Sequence, residues 1–154
     1  INNLKKENIY KDNLIILMSD HSHSTFKNHS LYSFEYHKIP LLIIGGALKE
    51  KYKGTQINKI ATQVDVAATL LNQLQIPSKE FYWSKDILSN KTSEFAFFEI
   101  NSGLGWKDNN VEFVYNVNEN RFYQKIIYDS LNRNTSVKYG KAYLQHLFQK
   151  FMEL

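Results

Sequence analysis

Two continuous apolar runs dominate the first third of the chain. Leu14–Met18 ends abruptly in the polar cluster Ser-Asp-His-Ser-His-Ser-Thr, and Ile39–Ile44 stops at two glycines. Runs of that length without alternation predict strands buried on both faces, as in parallel sheets covered by helices. Pro40 stands at the start of the second run, where a missing N–H costs a strand little. Residues 1–13 are polar with scattered Leu4, Ile9 and Tyr10, the pattern of a helix end leading into a turn. Further on, VDVAATLLNQLQI sets Val66, Leu70 and Leu74, with Ala67 and Leu71, at helical spacing. Asp65 is placed to cap that helix and Pro77 follows its end.

From Glu94 the texture changes. SEFAFFEI, VEFVYNV and RFYQKIIYD are short aromatic and β-branched stretches separated by Asn-, Gly- and Asp-bearing turns, which predicts an antiparallel meander. Its aromatic series, Phe95 to Tyr123, reads as sheet packing rather than a base-stacking platform. Trp106 falls in one of the glycine-bearing turns, as a packing residue or as the wall of a cleft. Residues 141–154 carry Leu144, Leu147, Phe148, Phe151 and Met152, an amphipathic helix with one buried face. The order of elements predicts an α/β fold: buried parallel-type strands with helices, then a small antiparallel β region and a C-terminal helix.

Composition narrows the possibilities. The 22 Phe, Trp and Tyr residues in a chain of 154 exclude intrinsic disorder, and no apolar run approaches the roughly 20 residues that cross a bilayer. The absence of cysteine removes disulfides, thiolate metal sites and cysteine nucleophiles together. The chain opens at Ile1 with neither an initiator methionine nor a signal-like leader, as expected of a piece of something longer. Of the 19 basic residues behind the net charge of +4, only Arg121 and Arg133 are arginines. Guanidinium forks dominate base reading, so specific nucleic-acid recognition is not expected. Dispersed lysines read first as a solvated basic surface, and second as a weak attraction to anionic polymers or membranes.

The chemistry concentrates at Asp20 and His21, where the Leu14–Met18 strand ends. Ligands in α/β sheets bind beyond the carboxyl ends of strands, and a turn lets adjacent side chains converge. One hard oxygen and one imidazole nitrogen suit zinc or manganese, although a site needs one or two further ligands. Taken alone, the pair reads more simply as a turn-capping aspartate beside an exposed histidine.

The ordered set LIILMSDHSH, HKIPLLIIGG and ATQVDVAATLLNQLQI resembles the C-terminal part of the alkaline phosphatase–sulfatase superfamily. The likeness is greatest to its lipoteichoic acid synthase, or phosphoglycerol transferase, branch. It spans roughly residues 12–90 and extends through FYWSKDIL. The resemblance implies that Asp20 and His21 are paired ligands of a divalent metal, manganese or zinc with calcium as a further option. It places His23 against an anionic group and gives Asp65 a capping role. Ser22 and Ser84 stand where glycine is usual, and Ala68 where proline is usual.

On the same resemblance the nucleophile and the first acidic ligand lie upstream of the Asp-His turn, and Thr25 cannot take the nucleophile's place. Residues 1–154 would then be a single C-terminal fragment of a larger sulfatase-like catalytic domain. Within it, 1–90 would be the metal-site part, and 91–154 the meander and terminal helix. The fragment would lack a catalytic residue of its own and be silent alone. Its apolar strands would leave a face or edge uncovered.

His37, ahead of the Ile39–Ile44 strand, is a candidate for substrate contact, although a parallel pairing would set it at the far end. His29, in the polar loop TFKNHSLYS, is another, on a possible lid. His146 reads as a surface or packing residue. The implied function is phosphoglycerol transfer on phosphate esters of lipid or glycan, in the extracytoplasmic domain of a bacterial membrane protein. Membrane attachment would come only through upstream segments. A sulfatase or phosphoethanolamine transferase is the neighbouring alternative. A non-catalytic module that binds an anionic glycan or acts as a scaffold is the contrasting one.

Overall fold

The computed structural model describes residues 1–23 and 28–153, so Thr25 lies outside the described residues. They form two compact units, Ile1–Asn58 and Lys59–Leu154.

In the first unit, helices α1 (Asn2–Lys6) and α2 (Ile9–Asp12) lead into β1 (Ile15–Met18). Helix α3 (Phe34–His37), β2 (Leu41–Ile44) and a 3₁₀ turn (Glu50–Tyr52) follow. Ser33 starts α3, its hydroxyl accepting from the Tyr36 N–H at 3.3 Å. β1 and β2 pair antiparallel, from Ile15 opposite Ile44 to Met18 opposite Leu41. This corrects the expected parallel pairing. An unbroken apolar run reports burial and carries no information on a partner's direction. A parallel crossover also needs a covering element, whereas the described part of this connection holds only the single-turn α3.

The strands are not buried along their whole length and leave apolar surface uncovered. Their Ile15–Ile44 end is half-buried, while Leu17, Met18, Leu41 and Leu42 at the other end are exposed. Gly45 ends β2 at φ +125, and a Cβ there would sit 2.1 Å from the Asn13 carbonyl oxygen. Glycine alone lets the strand close onto the segment that precedes β1.

The second unit opens with α4 (Asp65–Gln73), which stops ahead of Pro77 as expected. Its buried strip is Asp65, Ala68 and Thr69, whereas Leu74 of the expected apolar face is exposed. A four-stranded antiparallel sheet follows, in the order β3 (Phe95–Ile100), β4 (Gly103–Asp108), β5 (Val111–Asn116), β6 (Arg121–Ile127). β4 covers GLGWKD, which the sequence presents as a turn because of its glycines. Trp106 lies inside that strand, buried, with its ring stacked 4.7 Å from Phe95.

Helix α5 (Arg133–Met152) begins well before the expected Lys141 and packs on β4 and β5. The core beneath it joins Leu104, Trp106, Val111, Phe113 and Tyr115 to Leu144 of the helix. Gly140 makes that approach possible, since a Cβ would lie 2.5 Å from the Phe113 ring and 2.7 Å from Trp106. Phe148, Phe151 and Met152, expected on the buried face, are exposed.

Alternation along β5 sends Glu112 to the opposite sheet face, yet its side chain is 1% exposed. Lys107, Tyr128 and Gln124 all donate to it.

Candidate functional site

The candidate site is the turn at which the chain leaves β1. Hydrogen bonds among its own residues help to shape it. The His21 N–H donates to Asp20 Oδ1 at 2.8 Å, and His21 Nδ1 lies 2.7 Å from the Ser22 carbonyl oxygen. A carbonyl only accepts, so Nδ1 carries the proton and a neutral ring presents the bare lone pair of Nε2. Nε2 lies 3.5 Å from Asp20 Oδ2, and both side chains are largely exposed. Two electron-pair donors thus face one another, an arrangement that becomes favourable with a cation between them: a proton on Nε2, or a metal ion. Ligand bonds of about 2.0–2.2 Å in a tetrahedral shell set donor atoms about 3.4 Å apart. The spacing therefore fits two neighbouring positions of a small divalent ion. Among the described residues, no group of three or more Asp, Glu, His or Cys side chains gathers around one point. The turn offers one carboxylate and one imidazole that could serve as a pair of ligands.

The antiparallel register changes the standing of His37. The end of β1 that carries Asp20 lies beside the start of β2, so α3 sits at that same end of the sheet. His37 Nε2 donates to the Leu31 carbonyl oxygen at 2.9 Å, and the ring meets Tyr36 edge-on. Burial lowers its pKa below the usual histidine value against the opposing effect of that hydrogen bond. His23 and His29 are exposed. His146 lies on α5, its ring 5.1 Å from Trp83, a packing residue as expected.

Asp65 does not cap α4. It is the helix's first residue and makes no capping bond there. Fully buried, its carboxylate accepts from the Thr62 N–H and the Lys85 N–H, both at 2.8 Å, and from Lys85 Nζ at 2.6 Å. Burial lowers the Lys85 pKa, and the bond to Asp65 opposes the shift. Burial, helped by the Asp65 charge, holds the Tyr143 hydroxyl well above the ordinary tyrosine range. The cap comes from elsewhere: Ser84 Oγ accepts from the Ala68 N–H at 2.8 Å. Sequence reasoning missed Lys85 and the role of Ser84, because nothing in the local pattern links positions some twenty residues apart.

Comparison with known proteins bears on what this turn belongs to. The sulfatase family profile matches residues 1–76, a span that contains β1, the Asp20–His21 turn, β2 and α4. Lipoteichoic acid synthase 2 of Bacillus subtilis (strain 168) is 29% identical over 112 residues, which cover 63% of this chain and 16% of that protein. The crystal structure of an alkaline phosphatase superfamily protein from Vibrio parahaemolyticus aligns over 88% of this chain and 35% of its own, with a TM-score of 0.63 at 19% identity. The chain is similar to members of the alkaline phosphatase–sulfatase superfamily. It spans about a sixth of the lipoteichoic acid synthase it matches. The mixed α/β architecture with antiparallel sheets and a C-terminal helix is similar to an alkaline phosphatase superfamily fold. Among the described residues, no helix is long and apolar enough to cross a membrane.

Proposed function

We propose that this chain is the C-terminal part of a metal-dependent phosphoglycerol transferase-like enzyme, acting on phosphate esters of lipid or glycan at the bacterial cell envelope. The observation that carries this reading is the Asp20–His21 pair. Its bare Nε2 and carboxylate oxygen lie 3.5 Å apart at a strand end, inside the span matched by the sulfatase profile. Asp20 and His21 would hold a manganese or zinc ion, and a bound ion of that kind supplies charge stabilisation to phosphoryl oxygens. The Ser22 carbonyl fixes the ring so that Nε2 is the ligating atom. On this reading the remaining ligands and the nucleophile belong to sequence upstream of these residues, and the enzyme works outside the cytoplasm. His37, at the same end of the sheet, along with His23 and His29, is proposed to contact the anionic substrate.

In the whole enzyme, Asp20→Ala and His21→Ala should each lower bound metal, measured by elemental analysis, and cut turnover of a phosphoglycerol lipid by about 10²-fold or more. Unchanged metal content and turnover in both variants would falsify the reading and leave a non-catalytic module. The sulfatase profile match also favours a sulfatase as a second reading. A sulfate-ester assay of the same enzyme separates the two.

A further inference from the structure

The second unit carries an open aromatic groove where the end of α5 meets the Tyr82–Trp83 segment. Tyr82, Trp83, Leu147 and Phe151 wall a volume of about 370 Å³, with Lys150 and Glu153 at its rim. That size falls within the roughly 300–1,000 Å³ of small-ligand clefts. One wall is fixed in place: the half-buried Trp83 ring lies edge-on 5.1 Å from Tyr143, which packs against the core, and 5.1 Å from His146. Tyr82 stands 5.0 Å from Trp83 and is 63% exposed, and Phe151 is 72% exposed. The rim is charged but internally matched. Lys150 Nζ donates to Glu153 Oε2 at 2.6 Å, and Gln149 Nε2 donates to Glu153 Oε1 at 3.3 Å. Each carboxylate oxygen has a second lone pair, and the ammonium group has two further N–H donors.

We infer that this groove binds a neutral sugar unit of a glycan. The rim selects against charged ligands. An anion would have to take Lys150 from Glu153, and a cation would have to take Glu153 from Lys150, so either one trades an existing bond for its own. A wholly apolar occupant fits no better, because it would strip water from both members of the pair. What remains is a ligand with an apolar face and an uncharged polar edge. A pyranose has that shape: its C–H face lies on aromatic rings, and its hydroxyls donate to the carboxylate and accept from the ammonium at the same time. The charge-assisted bonds are the stronger kind, and they form without separating Lys150 from Glu153. Trp83 is already held by its neighbours, so little ordering is lost when the sugar stacks on it. Sugar binding uses neither Asp20 nor His21, and it stands whether or not the chain takes part in phosphoryl transfer.

The test is a fluorescence titration of the 154-residue chain. It holds two tryptophans, and Trp106 is buried in the core, so a change in emission on adding ligand reports Trp83. Cellobiose or maltose, a β- and an α-linked neutral disaccharide, should give a saturable change at millimolar concentration, and cellobiouronic acid should bind more weakly than cellobiose. The double variant Tyr82→Ser with Phe151→Ser should bind at least about tenfold more weakly, with its circular dichroism unchanged because both side chains are exposed. Glu153→Gln frees Lys150, and this variant should prefer the acid over cellobiose. Four results would overturn the inference. One is no saturable response to either neutral disaccharide. Another is an equal response from the double variant, which would place the binding elsewhere. A third is a preference of the unaltered chain for the acid, the behaviour of an anion site. The last is retention of the neutral apolar dye N-phenylnaphthylamine at saturating disaccharide, which would assign the groove to an apolar partner.

Discussion

The Asp65 carboxylate has no exposure to solvent and accepts four hydrogen bonds, two from Thr62 and two from Lys85. Truncating it strands a buried ammonium group, so Asp65→Ala should cost about 3–5 kcal/mol in urea unfolding. Lys85→Met should be comparably severe, since it leaves the carboxylate buried without its charge partner. His37 gives a pH signature. Its folded pKa lies below the unfolded value, so between the two the unfolded chain holds more protons. Its contribution is therefore full above about pH 6.5 and falls as the pH drops toward the folded pKa. Stability measured from pH 7.5 to 5 should show that loss, and His37→Gln should flatten it. At this scale the sequence makes some roles plain and hides others. Asp20 and His21 are visible because they interrupt an apolar run at a strand end. The role of Asp65 is hidden, because an aspartate opening a helix looks like a cap whatever its carboxylate reaches.

β4 shows what elements owe to their neighbours. Gly103 and Gly105 give GLGWKD little strand preference of its own, and the sequence offers a turn there. The strand exists because β3 and β5 pair it on both sides. The direction of β1 against β2 was equally illegible, since pairing direction is a property of two segments and their connection. α5 starts early for the same reason: its first turns are polar, with Val137 and Gly140 as the residues that meet the sheet. The polar face of the sheet yields a prediction of its own. Lys107→Met leaves the buried Glu112 without its cation and should destabilise by about 3 kcal/mol. Adding Glu112→Leu should recover most of that loss, because a matched apolar pair needs no charge. Guanidinium titration of the single and double variants measures both.

Stability should be uneven across the molecule. The aromatic core lies in the second unit, and the strand tips of the first remain exposed. Amide exchange should therefore be slowest in β4 and β5 and markedly faster in β1 and β2, which hydrogen-exchange mass spectrometry resolves by segment. The broad architecture was legible because apolar periodicity and motif order speak to layers and family. The exposed end of α5 was not, because helical spacing marks a residue as apolar without saying how far the surface beneath it extends. Gly140 carries one more consequence. With Phe113 and Trp106 occupying the space where a β-carbon would stand, positions 106, 113 and 140 share one fixed volume. In relatives that keep this packing, the three should vary together. A side chain at the position of Gly140 should appear only where one of the two rings has become smaller.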